Sequence, residues 1–161
     1  MVNRFNTGIQ KGVARVFNRY LEDFQTGDCW SSRGRTITET DLVSFAAWSG
    51  DWYPLHTDQE WARNTSYGQR IAHGMLVLSA AIGLTHLEPG TVAAFYGLDR
   101  VRFVAPTFIG DTIHVNYEFV EKQERENDGI VTAKLEVKKQ TGQTVAAAVV
   151  KFLVNKCPVS Q

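Results

Sequence analysis

The sequence predicts an α+β domain in which an antiparallel sheet curls round one long buried helix. Three observations carry that expectation. The stretch 71–84 is apolar almost all the way round, and a helix without a polar face is buried on every side. From residue 92 onward, segments rich in β-branched and aromatic residues alternate with the turn signals Gly110-Asp111, Asn127-Asp128-Gly129 and Thr141-Gly142. A chain of 161 residues, 43% hydrophobic and 21% charged, suits one domain with a real core.

The elements follow in order. Residues 1–20 carry Arg4, Lys11, Arg15 and Arg19 with no acidic residue before Glu22, and apolar residues recur there at roughly helical spacing. We read this segment as an N-terminal helical arm; an organelle transit peptide is the alternative. The domain proper is expected over 21–157, with a tail at 158–161. A first strand is expected near 29–35. Thr38-Glu39-Thr40-Asp41 resembles a capping box with a short acid at its third helical position. It opens a helix over 39–49 with Leu42, Val43, Phe45, Ala46 and Trp48 inward, and Gly50 ends it. A polar loop follows, with a short helical piece near 58–64. Strands are expected at 92–95, 99–103, 112–122, 130–139 and 144–154.

Composition excludes several function classes. Lys+Arg and Asp+Glu are 17 each, so the basic excess of a nucleic-acid binder is missing, and near-neutrality favours self-association. Cys29 and Cys157 cannot build a disulfide framework or a four-cysteine zinc site. No apolar run approaches the roughly 20 residues of a membrane span. These features fit a cytoplasmic protein. Phosphate-loop, dinucleotide, nucleophile-elbow and H-E-x-x-H motifs are absent, and His56, His73, His86 and His114 lack metal-ligand spacing.

Two stretches could do chemistry. In Asp51-Trp52-Tyr53-Pro54-Leu55-His56 the carboxylate and the imidazole are five residues apart, about 17 Å if extended, so only a folded-back loop unites them. Pro54 biases Tyr53 toward an extended backbone. Once together, such groups form an acid/base pair; apart, Asp51 caps a turn and His56 is merely exposed. The second stretch is His73-Gly74-Met75, at the start of the apolar helix. Unpaired N–H groups gather at a helix N-terminus, and a residue without Cβ lets a ligand oxygen come close. The alternative there is packing, with Gly74 clearing a strand and His73 a hydrogen-bonded core residue.

Taken together, Asp51, Pro54, Leu55, His56, Asp58, Ile71, His73, Gly74 and Met75 resemble the MaoC-like / (R)-specific enoyl-CoA hydratase family, with its D-x-N-P-L-H and I-x-H-G-M patterns. The 103–111 segment is similar as well. The resemblance implies a hotdog fold, its sheet wrapped round a helix at about 73–86, and a homodimer or dimer of dimers. It implies that Asp51 and His56 are the catalytic pair of a hydro-lyase acting on a 2-enoyl or 3-hydroxyacyl thioester. Gly74 would bind the thioester oxygen, with Tyr53 and His73 also at the substrate site. No cofactor or metal is implied, and the substrate is carried on coenzyme A or an acyl carrier. Tyr53 stands where the family has Asn, and Ile82 where some members place a polar helix residue. With Trp48, Trp52 and Trp61 near the loop, this points to a non-standard acyl group. A hotdog thioesterase and a non-catalytic acyl-binding hotdog are the competing readings. Residues 74–87 hold no carboxylate of the kind thioesterases use, and retention of both Asp51 and His56 argues against a binding-only pocket.

Overall fold

The computed structural model describes residues 17–158, so the expected arm lies outside the described residues as far as residue 16. A 3-10 turn (Leu21–Asp23) and short strands β1 (Cys29–Ser31) and β2 (Arg35–Thr36) lead into helix α1 (Glu39–Ser49). Helices α2 (Pro54–Thr57), α3 (Gln59–Arg63) and α4 (Gly74–Gly83) follow. Four long strands then complete the domain: β3 (Val92–Phe103), β4 (Thr112–Glu124), β5 (Asp128–Lys139) and β6 (Thr144–Asn155). The sheet is antiparallel, ordered β1-β4-β5-β6-β3, with β2 also on β4.

Helix α1 forms where its end signals place it. The Thr38 Oγ1 accepts the Asp41 N–H at 3.3 Å, and an Asp41 carboxylate oxygen accepts the Thr38 N–H at 2.8 Å. The short acid therefore closes the capping box. Gly50, at φ 78°, stops the helix and donates its N–H to the Ala46 carbonyl. Only Leu42 and Ala46 are buried in α1; Val43 and Trp48, expected inward, are exposed. Leu42 and Ala46 lie one turn apart, so α1 rests on the domain along a narrow stripe, with Phe45 partly buried beside it and Trp48 left outside.

Helix α4 is shorter than the apolar run suggests. Ile71 bridges to Phe108, and the Ala72 N–H donates to the Thr107 carbonyl at 2.8 Å. These residues are thus extended, and the helix begins only after His73. It packs Leu76, Val77, Leu78, Ala80 and Ala81 into the core. Met75, Ser79 and Gly83, one helical turn apart, stay exposed as a stripe. The expectation of burial on every side is corrected by that stripe.

The sheet wraps this helix. In β4, Ile113, Val115, Tyr117 and Phe119 face inward, alternating with polar partners as the sequence pattern requires. The two expected pieces at 92–95 and 99–103 are one strand, β3, with three register shifts against β6 and Arg100 at φ 53°. Such bulges bend a strand and sharpen its twist, which lets it curl round α4. The expected first strand breaks instead at Ser32, whose Oγ accepts the Val115 N–H at 2.9 Å. The core reaches back to Phe17, fully buried with its ring 4.2 Å from that of Phe152. Among the described residues, no helix is long and apolar enough to cross a membrane.

Candidate active site

Three local devices fold the 50–57 loop back on itself. Left-handed Gly50 reverses the chain. The Asp51 carboxylate then accepts the Tyr53 N–H at 3.2 Å, a turn typical of Asp. Pro54 opens the single turn of α2, its missing N–H costing nothing at that position. The pair that would be about 17 Å apart in an extended chain is thereby brought together. One carboxylate oxygen of Asp51 and one ring nitrogen each of His56 and His73 lie within 4.8 Å of one another.

Each imidazole has its tautomer set by a backbone carbonyl. His56 Nδ1 lies 2.8 Å from the Ile71 oxygen, and His73 Nε2 lies 3.0 Å from the Asp51 backbone oxygen. A carbonyl can only accept, so both of these nitrogens carry the proton. In the neutral His56 ring the lone pair is then on Nε2. The two rings stack at 3.9 Å between centroids, tilted by 29°. His73 is 2% exposed. Burial pushes its pKa down and the neighbouring His56 adds to this, outweighing the upward pull of the hydrogen bond to Asp51.

In front of His56 lies a cavity of about 370 Å³, lined among others by Ile71, Gly74, Val77, Phe103 and Val145. Gly74 is the first residue of α4, and its amide has no acceptor within the helix. His73, at the N-cap, does not cap that turn with its side chain. A Cβ on Gly74 would come within 2.8 Å of the Phe103 ring. The glycine therefore has a packing reason as well as a place on the cavity wall. His73 faces Asp51; of the candidate site residues His56 and Gly74 line the cavity, and Asp51, Tyr53 and His73 do not. Tyr53, half exposed, stands edge-on to His56 at 6.1 Å and to Trp61 at 5.6 Å. Ile82 is partly buried against the core and offers no polar atom.

Asp51, His56 and His73 are also close enough for metal ligation to be considered. Stacked rings, however, aim their lone pairs along nearly parallel planes, whereas a tetrahedral ion needs them to converge on a point. The arrangement suits proton transfer better.

Behind this constellation is a second network that sequence reading missed. Asp111 accepts the Phe108 N–H and a Gln140 side-chain N–H, each at 2.9 Å, and pairs with Lys139 at 3.1 Å. Lys139 also donates to the Pro106 carbonyl at 3.2 Å. This cluster fixes the 106–110 turn, to which Ile71 and Ala72 are bonded. It thereby holds the carbonyl that sets the His56 tautomer. Tyr67, also on the cavity wall, has no sequence signature that would have marked it.

An antiparallel sheet wrapped round a single helix defines a hotdog-fold protein. The MaoC-like domain family matches residues 25–141, and the chain belongs to that family. It is 42% identical over 112 residues to the MaoC protein of Klebsiella aerogenes, matching 67% of this chain but only 33% of that protein. The chain thus spans about a third of that relative's length. It is 36% identical over 134 residues to an (R)-specific enoyl-CoA hydratase of Rhodospirillum rubrum, covering 81% of this chain and 85% of the relative. Among solved structures, a monoamine oxidase regulatory protein from Archaeoglobus superposes with a TM-score of 0.81 at 44% identity. That match covers 89% of this chain and all of the other.

Proposed function

We propose that the protein is a hydro-lyase that adds water to a trans-2-enoyl thioester, or removes it from the 3-hydroxyacyl thioester. The observation that carries this is the Asp51 carboxylate and the His56 ring within 4.8 Å of one another, with the His56 Nε2 free to take a proton. A water held between them loses a proton to His56 as its oxygen adds to C3. The C2–C3 π electrons move toward the carbonyl, and the thioester oxygen gains charge facing the Gly74 N–H. The pair then returns a proton to C2. An oriented backbone donor of this kind is typically worth about 3 kcal/mol in the transition state. No cofactor enters the scheme, because the thioester itself makes C2 acidic.

The acyl group is proposed to be other than a plain straight chain, because Tyr53 and Trp61 build an aromatic wall beside His56. Its carrier is coenzyme A or an acyl carrier. The working unit is a homodimer. Strand β3 is the end of the sheet, and a long unpaired edge is normally covered. Along it and beside it, Phe95, Tyr96, Phe103, Val104 and Met75 are exposed. Exposed, unpaired Cys29 and Cys157 support a reducing, cytoplasmic setting.

The test is hydration of a panel of 2-enoyl-CoA thioesters, followed by loss of the conjugated thioester's absorbance. Asp51→Asn and His56→Ala are each expected to lower kcat by about 10²–10⁴ while the protein stays folded. Full activity in either variant contradicts the reading, as does release of free coenzyme A without hydration.

A further inference from the structure

We propose that His73 is the positioning residue that keeps the Asp51–His56 pair in register, donating its Nε2–H to the Asp51 carbonyl while its ring face supports the His56 imidazole. The inference rests on the hydro-lyase reading and deepens it.

Asp51 and His56 lie on either side of Pro54, in a loop where Asp51, Trp52 and Tyr53 are all exposed. Such a loop has little packing of its own to hold it. His73 sits at a fixed point instead: it follows Ala72, which is bonded to the 106–110 turn, and it precedes the first turn of α4. From there one side chain touches both members of the pair, Asp51 through a 3.0 Å hydrogen bond and His56 through a 3.9 Å stack. The Phe45 ring approaches His73 at 5.0 Å, so the imidazole is itself confined.

The choice of residue supports the role. His73 Nδ1 is buried and has no hydrogen-bond partner. A buried polar atom without a partner costs free energy, and a phenylalanine would fill the same space without that cost. What histidine supplies and phenylalanine cannot is a donor aimed at Asp51. Burial also pushes the pKa of this ring down, which favours a neutral neighbour for the stacked His56. His73 is 2% exposed whereas Asp51 is exposed, so His73 acts through its two neighbours and not on substrate.

The test uses three variants and one measurement on the unaltered protein. His73→Gln places an amide N–H near the Nε2 position, His73→Asn places one near Nδ1, and His73→Phe keeps a ring without a donor. His73→Asn and His73→Phe are expected to lose about 100-fold in kcat, the scale of a misplaced catalytic group, with KM nearly unchanged. His73→Gln is expected to recover most of that loss. A His73→Phe enzyme with the kcat of the unaltered protein overturns the proposal, as does a His73→Asn enzyme equal to His73→Gln. Side-chain 15N NMR of the unaltered protein reads the tether without catalysis and without relying on any variant to fold. A neutral Nε2–H tautomer at His73 is expected; an Nδ1–H tautomer overturns the proposal. If the unaltered protein hydrates no enoyl thioester while that tautomer is present, the hydro-lyase reading alone has failed.

Discussion

Pro54 separates a carboxylate from an imidazole, and one left-handed glycine, one Asp turn and one helical turn close the gap. The first two were legible, because Gly50 admits a left-handed backbone and Asp51 favours a turn; the helical turn Pro54–Thr57 was not, since the short helical piece was expected near 58–64. The partners that set the imidazoles were not. The carbonyls of Ile71 and Asp51 carry no signature, since every residue has one. His73 was marked by its place in the motif as a substrate-site residue, but its direction depends on which way the loop folds, and the ring lies against Asp51. Tyr53 was legible only as a bulky group in an Asn position. Its edge-on contact with His56 and Trp61 predicts that Tyr53→Asn shifts preference toward crotonyl-CoA by about tenfold in kcat/KM, a difference of roughly 1.4 kcal/mol. Crotonyl-CoA as the best substrate of the unaltered protein contradicts the aromatic-wall reading.

At the scale of elements, the turns and caps were readable and the attachments between them were not. The capping box and Gly50 placed α1 to the residue, whereas the 71–84 run overstated α4. Apolar character identifies burial without revealing that Ile71 and Ala72 bond to another turn. That turn depends on Asp111 and Lys139, which are 9% and 7% exposed. Burial alone would raise the Asp111 pKa, but the Phe108 N–H, Gln140 and Lys139 outweigh it and hold the carboxyl below its ordinary value of 3.8. A carboxyl lowered by folding stabilises the native state above its unfolded pKa. That stability is lost as pH falls below 3.8 and through the folded value. Asp111→Ala is expected to destabilise the protein by about 3 kcal/mol, because it strands Lys139 in the core. It should also flatten that acid dependence, as read by denaturant unfolding between pH 2 and 7. It should lower activity too, since the turn supports the His56 tautomer.

At the scale of the molecule, β-branched and aromatic segments separated by turn signals predicted the antiparallel sheet, in which β4, β5 and β6 are successive neighbours. The bulges in β3 were invisible, and they made one strand look like two. The exposed Met75–Ser79–Gly83 stripe was equally hidden in an apolar run. This stripe and the β3 edge give the free chain an open apolar flank next to Gly74, which a second copy is expected to cover. Sedimentation should therefore give twice the mass of the chain. Tyr96→Glu, on the exposed edge, should yield monomer and lose activity in the same titration. A fully active monomer contradicts this arrangement.

The proposed hydration depends on two side chains acting on one water as a unit. The measurement that addresses this most directly is a double-mutant cycle in kcat/KM for hydration of the best enoyl thioester, using Asp51→Asn, His56→Ala and the combination. Groups that work together are strongly non-additive, so the double variant should be no slower than the slower single variant within a few-fold. Costs that multiply would mean that the two residues act independently, and the shared-water site would be wrong.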